Sequence, residues 1–226
     1  MKIVEHITLG NSLRKKQQRT LSTLRNEVME AIRGVDHPRG SGELVICPRI
    51  DSKHFPNGVK PMQTLYSAMM EERDFISEYR WPDKVKHPSA LKKNPRVRNW
   101  IDRHVMRGNA PGAIDHFKII DGLRVGVEWE TGYVGSTHRT VNRLLRGIIE
   151  GVIDAGILVV PDRALQMHCT DRSANFEEFE GYMAMWELVL ILLRHGHLEV
   201  IVVSYDRLDP SVPYLPKQVK KETVVA

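Results

Sequence analysis

The chain has 226 residues, 42% hydrophobic and 27% charged, with a net charge of +5 and an isoelectric point near 9.2, enough for one domain with a substantial core. Its cations gather in "LRKKQQR" (13–19) and "KKNPRVRNWIDRHVMRG" (92–108), the distribution of a face that meets a polyanion, or else of solvated helix faces. Neither a membrane span nor secretion is expected: the longest apolar run, "MAMWELVLILL" (183–193), is short and holds Glu187, "MKIVEHITLG" lacks a signal-peptide core, and Cys47 and Cys169 suit reduced thiols in a cytoplasm.

In chain order, residues 12–33 carry Leu13, Leu21, Leu24, Val28 and Ile32 at helical spacing, with Arg14, Lys15, Lys16 and Arg25 off that stripe. The spacing predicts an amphipathic helix with a basic outer side. "ELVICP" (43–48) reads as a short strand ended by Pro48, and 49–63 as loop. A helix is predicted over 62–80 with Leu65, Met69, Phe75 and Ile76 on one side, followed by a basic, proline-interrupted surface excursion at 81–96.

"AIDHFKII" and "LRVGVEWE" flank "DG", a two-residue hairpin turn of residues that tolerate positive φ. A helix is predicted over about 137–153, with Val141, Leu144, Leu145, Ile148, Ile149 and Val152 on one side. "AGILVVP" (155–161) is then a strand covered on both faces, parallel to the one bearing Glu128 through a βαβ crossover. A polar loop (162–176), a helix over 177–194 ended by Gly196, a buried strand at 198–205 and a mobile tail from about 210 complete the chain. The fold class is α/β: a mixed central sheet with helices on both faces. The domain is single over 1–226, with its core at about 112–205 and the basic helix and loops in 1–111.

With Asp121 and Gly122 as the loop residues, Ile120 faces Leu123 and Asp115 faces Glu128. Alternation puts Asp115, Glu128 and Glu130 on one side and Ile120, Leu123, Val125, Val127 and Trp129 on the core side, with Gly126 leaving the carboxylate side open. Directly opposed like charges cost a few tenths to about 1 kcal/mol. A divalent metal is the economical counter-charge, since Mg²⁺ takes one or two carboxylates and leaves sites for water and a phosphate. Asp115 and Glu128 would hold it and Glu130 would orient or deprotonate the attacking water. Asp121 is a rival first acid, disfavoured because it belongs to the turn.

An Asp near the start of one strand, E-x-E on the next, then a helix and a buried strand resembles the core of the PD-(D/E)XK nucleases. "GVEWETGY…IDAGILVVP" is similar to the type II restriction endonucleases of the BglII, BstYI and BamHI group, in which Gln or Glu replaces the usual motif Lys, as Glu130 does here. "MKIVEH" and "GELVICP" look like N-terminal parts of the same group. The resemblance is tight over about 112–161 and diffuse elsewhere. It implies Mg²⁺-dependent hydrolysis of duplex DNA at a short palindrome by a homodimer, leaving 5′-phosphate ends. Asp115 and Glu128, with the main-chain carbonyl of Trp129, would be metal ligands and Glu130 would take the Lys position.

Gly132, Gly135, Ser136 and Thr137 are predicted to precede a helix N-terminus, which binds phosphate through free N–H groups, while Ser136 or Thr137 can simply cap the helix. Ser136, Thr137, His138, Arg139, Arg143, Lys15 and Lys16 are the candidate DNA contacts. His195 and His197 read as capping and surface residues. No P-loop and no local nucleophile signature is present, so nucleotide hydrolysis is unsupported. The alternatives are a structure-specific or repair nuclease on the same core and a non-catalytic basic DNA-binding module.

Overall fold

The computed structural model describes residues 1–10, 12–50, 57–81, 112–131, 134–169 and 174–217. Six strands form one mixed sheet in the order β1-β7-β6-β5-β4-β3. They are β1 (Lys2–Leu9), β3 (Ile76–Tyr79), β4 (Ile114–Ile120), β5 (Leu123–Trp129), β6 (Ala155–Pro161) and β7 (His197–Ser204). The run β5-β6-β7 is parallel; β1 on β7, β3 on β4 and β4 on β5 are antiparallel. A separate parallel pair joins β2 (Val45–Ile46), where a short strand is predicted, to β8 (Arg207–Leu208).

Both faces of the sheet are covered. On one, Leu21, Leu24, Val28 and Ile32 of α1 (Lys15–Arg33) and Met62, Tyr66 and Met70 of α2 (Lys60–Glu71) pack on Leu123, Val125, Val127 and Trp129. On the other, Val141, Leu144 and Ile148 of α3 (Val134–Glu150) and, beyond the one-turn α4 (Arg163–Gln166), Trp186 and Leu190 of α5 (Met183–Leu193) pack on Leu158, Val160, Val200 and Val202. The continuous apolar sequence of β6 follows from this double burial, every residue of it being buried.

The hairpin forms as the DG signal predicts: Asp121 and Gly122 both have positive φ, +49° and +77°, and Ile120 pairs with Leu123 and His116 with Val127. Helix α3 carries the crossover to β6, parallel and adjacent to β5.

Four expectations are corrected. The helix predicted over 62–80 ends at Glu71, and after a turn at Asp74 the chain enters β3, whose ladder pairs the outer edge of β4. Phe75 and Ile76 therefore lie beyond the helix, and Ile76 is exposed. Strand β1 is absent from the predicted elements because, as an edge strand with five of its eight residues exposed, it has no apolar period to read. The stretch predicted as a helix over 177–194 begins with two short 3₁₀ turns, and α5 is ended by Arg194 in the left-handed region, with Gly196 two residues on. Finally, the chain from 210 to 217 is not loose throughout: Leu215 is buried, its carbonyl accepts from Gly58 N–H at 2.8 Å and its N–H donates to Asn57 Oδ1 at 3.2 Å. The basic stretches at 82–96 and 92–108 and the tail beyond 217 lie outside the described residues.

At the start of β7 a buried charge knot ties the first strand and first helix to the sheet. Glu199, 1% exposed, accepts from Arg25 Nη1 at 3.3 Å and meets His6 Nε2 at 3.0 Å and His197 Nε2 at 2.9 Å. Burial alone would raise this carboxyl, but the His197 hydrogen bond and the charges of His197, Arg25 and His6 outweigh it, and Glu199 sits below its ordinary value. The stabilisation is present above the unfolded-state pKa and is lost as pH falls through the lower folded one. Glu199→Gln is expected to cost about 3–5 kcal/mol near neutral pH, the loss typical of breaking a buried pair, with the gap to the parent narrowing in denaturant melts as pH falls below the ordinary carboxylate value of 4.5. A parallel offset at all pH values would contradict this account.

Candidate active site

The β4–β5 ladder reaches His116 opposite Val127; one step further a side chain takes over, Asp115 Oδ2 accepting from the Trp129 N–H at 3.0 Å. The predicted register thus brings Asp115 beside the segment carrying Glu128, Trp129 and Glu130. Asp121 sits exposed in the turn at the other end of the hairpin.

Glu128 is 1% exposed and Glu130 5%. The side they share is not open at Gly126: a Cβ there would meet Ile153 Cδ1 at 3.2 Å and Ile114 Cδ1 at 3.3 Å, so the glycine admits core methyls instead. Helix α3 supplies the polar partners. Arg143 Nη1 donates to Glu128 Oε1 at 2.9 Å and Oε2 at 3.1 Å, and Thr140 Oγ1 donates to Glu130 Oε2 at 2.6 Å, with Ser136 Oγ at 3.4 Å. Thr140 and Arg143, at positions i and i+3, meet on one helix side, which is why one element fixes both glutamates.

Burial and the neighbouring Asp115 charge push the Glu128 carboxyl up to about 9, with Arg143 opposing the rise. Asp115 is raised as well, chiefly by burial, while its Trp129 hydrogen bond and Arg143 pull it down and Glu78 and Glu130 add to the rise. Glu78, on β3 at φ +50°, is a fourth acid that bears on Asp115. Glu78 is hidden in the sequence, where 62–80 reads as one helix and not as a helix followed by β3.

Behind β5 the surroundings are neutral. Tyr66 packs on Trp129 with ring centroids 4.4 Å apart and edge-on to His116 at 5.4 Å. Burial and the Asp115 charge hold the tyrosine hydroxyl well above its ordinary value, and burial drives His116 down to about 4. The backing is uncharged at neutral pH, and its low polarity strengthens the repulsion between the acids in front.

The remaining candidates scatter. Lys15 and Lys16 are exposed at the start of α1, and Arg139 is exposed on α3. Gly135, Ser136 and Thr137 lie inside the first turns of α3, which begins at Val134, so neither Ser136 nor Thr137 is its cap. Thr137 is fully buried, its hydroxyl facing the interior. His138 packs edge-on to Tyr182 at 4.6 Å. Arg143, expected to reach outward, turns inward onto Glu128. His197 is buried on Glu199 rather than at the surface.

The buried Glu128, its ionisation suppressed by desolvation and by the Asp115 charge, and the half-buried Asp115, raised chiefly by desolvation, form an all-oxygen donor set, which fits a hard divalent metal. Among the described residues no three His, Cys, Asp or Glu side chains are gathered into a ready-made cage. Both cysteines are buried and unpaired, and burial pushes the Cys169 thiol up to about 12. No helix among the described residues is long and apolar enough to cross a membrane.

Comparison with known proteins gives a consistent picture. The family model described as restriction endonuclease BamHI matches residues 1–219. The type II restriction enzyme OkrAI of Oceanobacter kriegii is 31% identical over 192 residues, spanning 85% of this chain and 84% of that protein. The type II restriction enzyme BamHI of Bacillus amyloliquefaciens is 33% identical over 166 residues, 71% of this chain and 65% of that protein. Among solved structures, restriction endonuclease BglII complexed with a DNA 16-mer superposes with a TM-score of 0.58 over 91% of this chain and 79% of that one; at 10% identity the likeness is one of fold.

Proposed function

Because the chain belongs to the BamHI restriction endonuclease family, we propose that it is a Mg²⁺-dependent type II enzyme, one nuclease domain acting in the cytoplasm. It hydrolyses duplex DNA at a short palindrome as a homodimer and leaves 5′-phosphate ends. The observation that carries this reading is the pairing of Asp115 with the buried, charge-frustrated Glu128 at one end of the β4–β5 hairpin.

Asp115 and Glu128 hold the metal together with the Trp129 carbonyl. Bound there, Mg²⁺ supplies a Lewis acid for a phosphoryl oxygen and lowers the pKa of a bound water. Glu130, steadied by Thr140 and Ser136, accepts the proton of the attacking water. The water oxygen bonds to phosphorus, the bond to the 3′ oxygen breaks, and that oxygen leaves with a proton from solvent, so the phosphate stays on the 5′ end. Lys15, Lys16, Ser136 and Arg139 contact the DNA.

Incubated with phage or plasmid DNA, the protein should give discrete bands with Mg²⁺ and none with EDTA, and end sequencing should return one palindrome with 5′ phosphates. Retarded but uncut DNA, or cutting confined to branched substrates, would sink the proposal. Glu130→Gln should slow cleavage about 10²–10⁴-fold with DNA affinity intact, the range for a lost general base.

A further inference from the structure

Arg143 is the cation that Glu128 already has. It rises from α3 with a side chain only 14% exposed, and a single nitrogen, Nη1, donates to both oxygens of Glu128 and to the Ala113 carbonyl at 2.8 Å. Its Nε is buried and, among the described residues, has no hydrogen-bond partner. Arginine–carboxylate pairs frequently use two nitrogens in a parallel fork, the stronger arrangement. Here three acceptors share one corner of the guanidinium while another donor goes unused.

Two consequences follow from that geometry. Nη1 spans both Glu128 oxygens and takes an acceptor site on each, the position from which an ion would bridge the same two atoms. A unit positive charge also rests on the carboxylate that would hold a dication, and in a buried setting the repulsion between the two cations would be large.

Resting on the metal reading above, we infer that Arg143 is a positioning residue that occupies the cation's place on Glu128 and is displaced when a divalent ion binds. In the metal-free protein the guanidinium satisfies part of the charge of Glu128 and keeps the side chain aimed. On displacement it remains on α3, one turn from the exposed Arg139, where a DNA phosphate offers it a new anionic partner. Cation and DNA then favour one another, because each removes a cost of binding the other.

The test is titration of the full chain with Mn²⁺ alone, followed by electron paramagnetic resonance in the absence of DNA at about pH 9, where protons compete less for the carboxylates than at neutral pH. Arg143→Met is expected to tighten Mn²⁺ binding by roughly tenfold or more, and Arg143→Lys, whose ammonium keeps the charge but not the reach, by less. Equal or weaker binding in a folded Arg143→Met protein overturns the inference. Saturable binding equal in parent and Arg143→Met but abolished in Glu128→Gln would sink only the role of Arg143. No saturable binding in any of them would sink the metal reading and this inference with it. The parent protein gives an independent readout should Arg143→Met not fold: Mn²⁺ should make Arg143 reactive toward phenylglyoxal, mapped by peptide mass. An Arg143 still unreactive at saturating Mn²⁺ overturns displacement.

Discussion

Glu128→Gln is expected to abolish DNA cleavage, by about three orders of magnitude or more, while leaving the metal-free protein better folded at alkaline pH than its parent. The first part follows from losing a charged oxygen ligand from a metal worth several kcal/mol of charge stabilisation, at about 1.4 kcal/mol per factor of ten. The second follows from linkage. The folded Glu128 carboxyl ionises at about 9 against an ordinary 4.5, because burial and Asp115 disfavour the charge more than Arg143 favours it. Between those values the unfolded chain has released a proton that the folded chain retains, so stability declines as pH rises across that window. Glutamine resembles the protonated acid and carries no such penalty. Denaturant melts without metal should therefore show the parent losing a few kcal/mol relative to Glu128→Gln between about pH 5 and pH 9. Metal needs the ionised carboxylate, so parental cleavage should climb over the upper part of that window. Residual cleavage in Glu128→Gln above about one per cent would contradict the ligand role, since a metal ligand's loss is worth more than that. Parallel stability profiles would contradict the frustration.

The parts legible in the sequence are those set by local periodicity and turn chemistry. Asp121-Gly122 fixes the hairpin and its register, and the unbroken apolar run of β6 declares a doubly covered strand. The same register is enough to put Asp115 next to Trp129. What the sequence hides depends on contacts between distant segments. Strand β1 is half solvated and β3 is four residues long, and each exists because it satisfies an edge of a sheet built from residues elsewhere in the chain. Glu78 gains its relevance to Asp115 only through that pairing. Arg143 reads as one more cation on a helix, and only the packing of α3 over β5 reveals that it spans to Glu128. Gly126, legible as a gap, is a site of close approach, because the methyls that fill it come from Ile114 and Ile153.

Leu188→Asp combined with Leu192→Asp is expected to convert the proposed homodimer into a monomer that no longer cuts both strands. Helix α5 buries only Trp186 and Leu190 among its eleven residues; Met185, Leu188, Ile191 and Leu192 stand in solvent, Leu192 at 74% exposure. Positions 185, 188 and 192 share one helix side, and an exposed apolar stripe of this kind marks an interaction surface. The palindromic site proposed above would have two-fold symmetry, and an isologous dimer would present two identical sites to it, so under that proposal the occupant of this stripe is a second copy of the same helix. Burying a leucine is worth about 1.5–3 kcal/mol, and a carboxylate forced into its place is penalised further. The double change should weaken association at least about a thousandfold, read by sedimentation velocity. Because both leucines are already solvated in the single chain, the monomer's thermal stability should hardly move. That is the discriminating feature: loss of dimer and of double-strand cleavage without loss of fold assigns the stripe to the interface, whereas a double variant that remains dimeric and cleaves at the parental rate places the two-fold axis elsewhere on the molecule.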